Sequence, residues 1–164
     1  MMTKALDILR NPLKFNFFLL TQLPIGWLVG LSMEHIDDTR AVVSIRYKYI
    51  TQNPFRSIYF ACLAMAGELA SGALGLVQVY GSQPEVSMLV VKMEADFTKK
   101  AVGKILFTCA DGAAIREAVE DSKRTGEGRT VVATSIGTDA TGVQVAIFRI
   151  TWSFKAKTIM APVA

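Results

Sequence analysis

Residues 53–80 read NPFRSIYFACLAMAGELASGALGLVQVY, from Asn53 to Tyr80. After Pro54 the stretch is one long apolar run rich in Ala, Leu and Gly, broken by a single carboxylate, Glu68. Ala, Leu and Met favour helix. The spacing predicts a helix over Ser57–Val79, roughly 33 Å long at about 1.5 Å per residue. Apolar side chains fall on every side of it, so it must be wrapped by other structure or by lipid. An ionised glutamate in such a helix is costly unless paired, hydrogen-bonded or shifted in pKa. Glu68 is therefore the first candidate for chemistry.

Two plainer readings of this stretch compete with a functional one. A transmembrane helix has sufficient length. The central Glu68, the glycines Gly67, Gly72 and Gly75, and the patterned strands on both sides oppose it. A structural glutamate, satisfied by neighbouring backbone or by an arginine, is the other.

At 164 residues, 51% of them hydrophobic, the chain is expected to form one folded domain over residues 1–164, with residues 1–24 as a helical lead-in. The net charge of +4 suits an anionic small ligand. No basic stripe with interleaved aromatics argues for nucleic acid. Cys62 and Cys109 have no CxxC spacing and read as small core residues of a reducing compartment, which points to a cytoplasmic protein. With His35 as the one histidine, neither a histidine-based metal site nor a Cys/His cluster is expected.

In chain order, Thr3–Leu23 reads as a helical segment with Thr3 as N-cap, split at Pro12. A secretory signal is opposed by Asn16 and Gln22 within its apolar run. Trp27–Ile36 and Ala41–Tyr49 alternate as two strands of a hairpin around Asp37-Asp38-Thr39. Asn53-Pro54 ends the second strand and launches the long helix. Then come a strand over Val86–Phe97, with Leu89, Val91, Met93, Ala95 and Phe97 on one face, a basic connection, and a strand over Lys104–Ala110. A short helix follows over Ala113–Arg124, capped by Asp111 and ended by Gly126 and Gly128. Strands over Thr130–Gly137 and Val143–Phe154 close the chain. The sum is an α+β fold: an antiparallel sheet of about six strands curled around one long central helix. Curling leaves part of the helix bare, and a partner subunit is its natural cover.

This order of elements, with a buried helix following an Asn, resembles the hotdog fold of acyl-CoA thioesterases from Trp27 to Phe154. Many small members carry an Asn, then Gly-x-x-His-Gly-Gly at the helix start, then a catalytic Asp or Glu nine residues after the His. Asn53 matches the Asn, Tyr59 falls at the His position, and Glu68 falls nine residues later. Glu68-Leu69-Ala70-Ser71-Gly72 is similar to the ELASG helix of an uncharacterised thioesterase-like branch, and Phe97–Lys104 (FTKKAVGK) is similar to the superfamily's F-x-(K/R)-x-A-x-G turn. Arg56 stands where Gly is usual, and Tyr59-Phe60 replaces His-Gly.

The resemblance implies thioester hydrolysis by a homodimer or homotetramer with active sites between subunits, coenzyme A being part of the substrate rather than a cofactor. Such chemistry needs an activated water or a nucleophile, and donors for the developing oxyanion. Glu68 fits as general base or as nucleophile. Asn53 and Tyr59 are the other catalytic candidates, Asn53 also reading as a turn-former and Tyr59 as packing. Backbone amides around Tyr59–Ala61 suit the carbonyl. Phe60 narrows their approach, while Arg56, Lys99, Lys100 and Lys104 are candidates for the phosphates of coenzyme A. A second reading is a non-catalytic acyl-binding module that kept the fold.

Overall fold

The computed structural model describes residues 2–157. Five helices occur in it: α1 (Met2–Arg10), α2 (Pro12–Gln22), α3 (Pro24–Val29), α4 (Phe60–Val79) and α5 (Gly112–Thr125). Six strands, β1 (Ser32–Ile36), β2 (Ala41–Arg46), β3 (Val86–Phe97), β4 (Lys104–Cys109), β5 (Arg129–Thr138) and β6 (Gln144–Ala156), form one sheet in the order β1-β2-β4-β5-β6-β3. Every pairing is antiparallel. The sheet wraps α4, which packs on β2, β4, β5 and β6, and α5 and α1 lie against it as well. This is the hotdog arrangement expected from the order of elements.

Helix α4 is long and apolar enough to cross a membrane, yet most of it is buried inside the protein. It is a core helix. Its glycines let it approach the sheet closely. A Cβ on Gly67 would stand 2.7 Å from the Phe148 ring, and one on Gly75 would stand 2.5 Å from the Met88 methyl. Two buried hydrogen bonds fix its position. Ser135 Oγ donates to the Gly67 carbonyl at 2.6 Å, and Trp152 Nε1 donates to Ser71 Oγ at 2.9 Å. Around these contacts Phe107, Phe148, Phe154 and Ile150 are buried to within 1% and form the floor of the core.

Several expectations need correction. Trp27 and Val29 belong to the short helix α3 rather than to a strand, so the first hairpin is confined to Ser32–Ile36 and Ala41–Arg46. Pro24 at the first turn and Gly30, left-handed at φ 75°, punctuate that helix at both ends. Tyr49 lies in a 3₁₀ turn, Tyr49–Thr51, not on the second strand. The chain does break at Pro12, where Asn11 Oδ1 caps α2 by accepting from the amides of Leu13 and Lys14. Thr3 lies within α1 instead of capping it. Asp111 occupies the N-cap of α5 without a capping bond, its carboxylate accepting from the Thr134 amide at 2.7 Å instead. A bulge between Val90 and Lys92 interrupts the alternation of β3. Leu89 stands opposite Ser153 but Met93 stands opposite Ile150, so the two share a sequence pattern and not a face.

Candidate active site

The segment between β2 and α4 builds the mouth of the candidate site. Helix α4 begins at Phe60 rather than Ser57, because Ile58 bridges to Gln52 and the Tyr59 amide donates to the Thr51 carbonyl at 2.7 Å. Those contacts hold the chain extended up to the N-cap, Tyr59. The amides of Phe60 and Ala61 then emerge with no hydrogen-bond partner among the described residues. Unengaged N–H groups at a helix start carry the positive end of the helix dipole.

Asn53 organises the loop itself. Its Oδ1 accepts from the amides of Phe55 at 2.9 Å and Ser57 at 3.3 Å, and its Nδ2 donates to Ser57 Oγ at 3.0 Å. Both ends of the amide are thus engaged with the turn. Arg56, at the position where the resembled motif has Gly, adopts φ 58°. That left-handed conformation is readily reached by glycine and is uncommon for other residues. The Arg56 side chain is exposed and borders a separate hollow with Gln52 and Pro54.

A cavity of about 560 Å³ opens between this loop, the start of α4 and the β3–β4 connection. Asn53, Tyr59, Phe60, Lys99 and Lys100 line it, so five of the candidate residues come together. Phe97 is a wall that the sequence reading did not select. Its ring lies 6.3 Å from that of Phe60 and 5.7 Å from that of Phe148, both edge-on, and Phe60 in turn meets Tyr59 at 4.8 Å. An aromatic series therefore runs from the mouth to the core beneath Gly67. The lysines separate. Lys99 is held by Asp139 at 2.7 Å, Lys104 by Glu34 at 2.7 Å, and Lys100 has no ion pair among the described residues. Lys104 does not line the cavity. His35 pairs with Asp37 at 2.8 Å on the exposed β1 edge.

Glu68 lies beyond the cavity, about 12 Å along the axis from Phe60 by the rise of a helix. It is half-buried, and no side chain or backbone group hydrogen-bonds its carboxylate among the described residues. A Cβ on Gly72 would sit 3.2 Å from both Glu68 Oε1 and the Trp152 ring, which places the carboxylate beside that indole. Desolvation by the surrounding apolar groups raises its pKa. The structural reading, a glutamate satisfied by backbone or arginine, thus finds no such partner here. No group of three or more His, Cys, Asp or Glu is arranged to hold a metal among the described residues. Cys62 and Cys109 are free and buried, with burial pushing Cys109 up to about 11.

A family model described as a domain of unknown function, DUF4442, matches residues 13–154. The chain belongs to the DUF4442 family. The fold of this DUF4442 chain is similar to that of a Pseudomonas aeruginosa protein of unknown function described as a probable thioesterase (TM-score 0.76, 20% identity, 90% of this chain and 97% of that one). It is also similar to a Haemophilus influenzae thioesterase (TM-score 0.67, 12% identity, 89% and 91%) and to a mutant thioesterase from Pseudomonas aeruginosa (TM-score 0.70, 15% identity, 90% and 95%). No curated protein matches the sequence closely enough to lend it a function. The DUF4442 chain thus has the hotdog fold of thioesterase-like proteins.

Proposed function

We propose that this protein hydrolyses acyl thioesters of coenzyme A or an acyl carrier, with Glu68 as general base. The observation that carries this reading is a half-buried carboxylate in the core helix with no partner among the described residues to stabilise its charge. A purely structural glutamate gains nothing from that position, whereas a base works best with its pKa raised toward neutrality. The free amides of Phe60 and Ala61 supply the donors for a thioester carbonyl oxygen. The Glu68 carboxylate lies beside Gly72, roughly 12 Å along the helix from those amides, so the carboxylate of one subunit and the amides of its partner flank one thioester carbonyl and one water. Glu68 takes a proton from that water, the water oxygen bonds to the carbonyl carbon, and the carbon–sulfur bond breaks to release the thiolate, which is then protonated. Asn53 acts as a positioning residue, holding the loop that presents the amides. Tyr59 and Phe60 form the entry, and Lys100, with Lys99 beside it, faces the anionic end of the substrate.

The reading extends to a dimer. Strand β3 is an edge strand of twelve residues, and Met93, Ala95 and Phe97 on its inward face are exposed. A long unpaired edge with apolar side chains invites pairing with a second copy, which would cover this face next to Glu68.

Hydrolysis of short, medium, long and aryl acyl-CoAs, measured together with equilibrium binding of the same ligands, tests the proposal. Turnover of at least one class supports it. Tight binding of acyl-CoA with no turnover of any class selects the acyl-binding module instead.

A further inference from the structure

We infer that the outer face of α2 and α3 docks the protein onto an anionic lipid surface. Helix α2 carries apolar side chains on two opposite sides, although it covers the core with one of them alone. Phe15 and Leu19 are buried beneath it, while Leu13 and Phe17 on the far side are 82% and 67% exposed. A second apolar stripe on the far side of a helix requires a cover of its own. The exposure continues through Leu20, Ile25, Trp27 and Leu28, giving six large apolar side chains within sixteen residues on two consecutive helices. Between α1, α2 and the end of α4 lies a groove of about 670 Å³ that Leu13 and Phe17 help to line. An aromatic and aliphatic face containing Trp suits the headgroup boundary of a bilayer.

Charge decides between lipid and a second copy of the chain. From Ile8 to Met33 there is no carboxylate side chain, whereas Arg10 and Lys14 are present. Lys14 meets Asp7 at 2.5 Å, but Arg10 spends its Nε on the Ile36 carbonyl and has no carboxylate partner among the described residues. At the other end the Lys48 ammonium lies over Gly30, which caps α3. An apolar face rimmed by cations repels its own copy across a two-fold axis and complements anionic headgroups.

Vesicle flotation tests this with the full chain. Phosphatidylcholine vesicles are compared with vesicles in which about a third of the lipid is phosphatidylglycerol. The expected result is binding to the anionic vesicles alone, weakened by salt, with a blue shift of Trp27 emission while the buried Trp152 stays unchanged. Phe17→Ser with Leu28→Ser should reduce binding roughly tenfold or more per side chain, with thermal unfolding unaltered because both side chains are exposed. Lys14→Gln should weaken binding to anionic vesicles. Absence of binding to anionic vesicles, equal binding to neutral ones, or a solution dimer that the double variant dissociates would each overturn the inference. None of these outcomes bears on thioester hydrolysis, which is read separately.

Discussion

Replacing Gly67 by Ala tests how closely the core helix sits on the sheet. A Cβ there would lie 2.7 Å from Phe148 Cδ2, 3.1 Å from Cγ and 3.4 Å from the Phe107 ring. Carbon–carbon contacts are optimal near 3.5–4.0 Å, so the Phe148 ring or the helix must give by about 1 Å. Neither ring has free room, since Phe148 is 1% and Phe107 0% exposed. Overpacking of this kind costs about 1–3 kcal/mol. A 2.7 Å contact against two rings with no free room belongs in the upper half of that range, about 2–3 kcal/mol. Alanine returns about 1 kcal/mol through its helix propensity, so the overlap wins by roughly 1–2 kcal/mol. For a chain of this length that lowers the melting temperature by roughly 2–8 °C. Gly128→Ala is the control, because nothing lies within 4 Å of its Cβ position and its φ is not positive. It should be neutral or slightly stabilising. Calorimetry on both variants reads the difference, and a Gly67→Ala protein as stable as the wild type would refute the close seating of α4.

Glu68→Gln should stabilise the fold at neutral pH. Burial raises the folded pKa of Glu68, so the wild type loses stability as pH rises above the unfolded value, and the variant does not. The gap in melting temperature should therefore close below the ordinary glutamate range, and a gap independent of pH would contradict this. Ser71→Ala leaves the buried Trp152 N–H without its acceptor, and urea titration should show a loss of about 1–3 kcal/mol. Cys62 and Cys109 should not react with a thiol reagent in the native protein and should both react in guanidinium chloride, because burial raises both pKa values.

Much of this architecture was legible because two periodicities met at one helix. A helix apolar on every side and strands apolar on one side have few joint solutions, and wrapping is the solution adopted. Residues 24–30 misled because Trp27-Leu28-Val29 is too short an apolar run for period alone to separate helix from strand. The information lay in Pro24 and Gly30, which start and stop α3. The β3 bulge was hidden because the same alternation continues on both sides of it, and only pairing with β6 shows that one residue is extra. In the site, Glu68 stood out because a lone charge in an apolar helix needs a reason. Phe97 did not, since an apolar residue in strand alternation reads as core, yet it ends on an exposed stretch of the edge strand. The lysines close in sequence diverge in space because strand alternation turns Lys104 away, beside Glu34, while the connection carries Lys99 and Lys100 to the cavity.

The central claim is that Glu68 is the base. Single-turnover hydrolysis of the best acyl-CoA substrate, followed across pH in the wild type and in Glu68→Gln, tests it most directly. The account predicts a wild-type rate that rises through an apparent pKa above the ordinary glutamate range, and a variant whose rate falls at least about a hundredfold with substrate binding retained. A variant that turns over at the wild-type rate with the same pH dependence would contradict it.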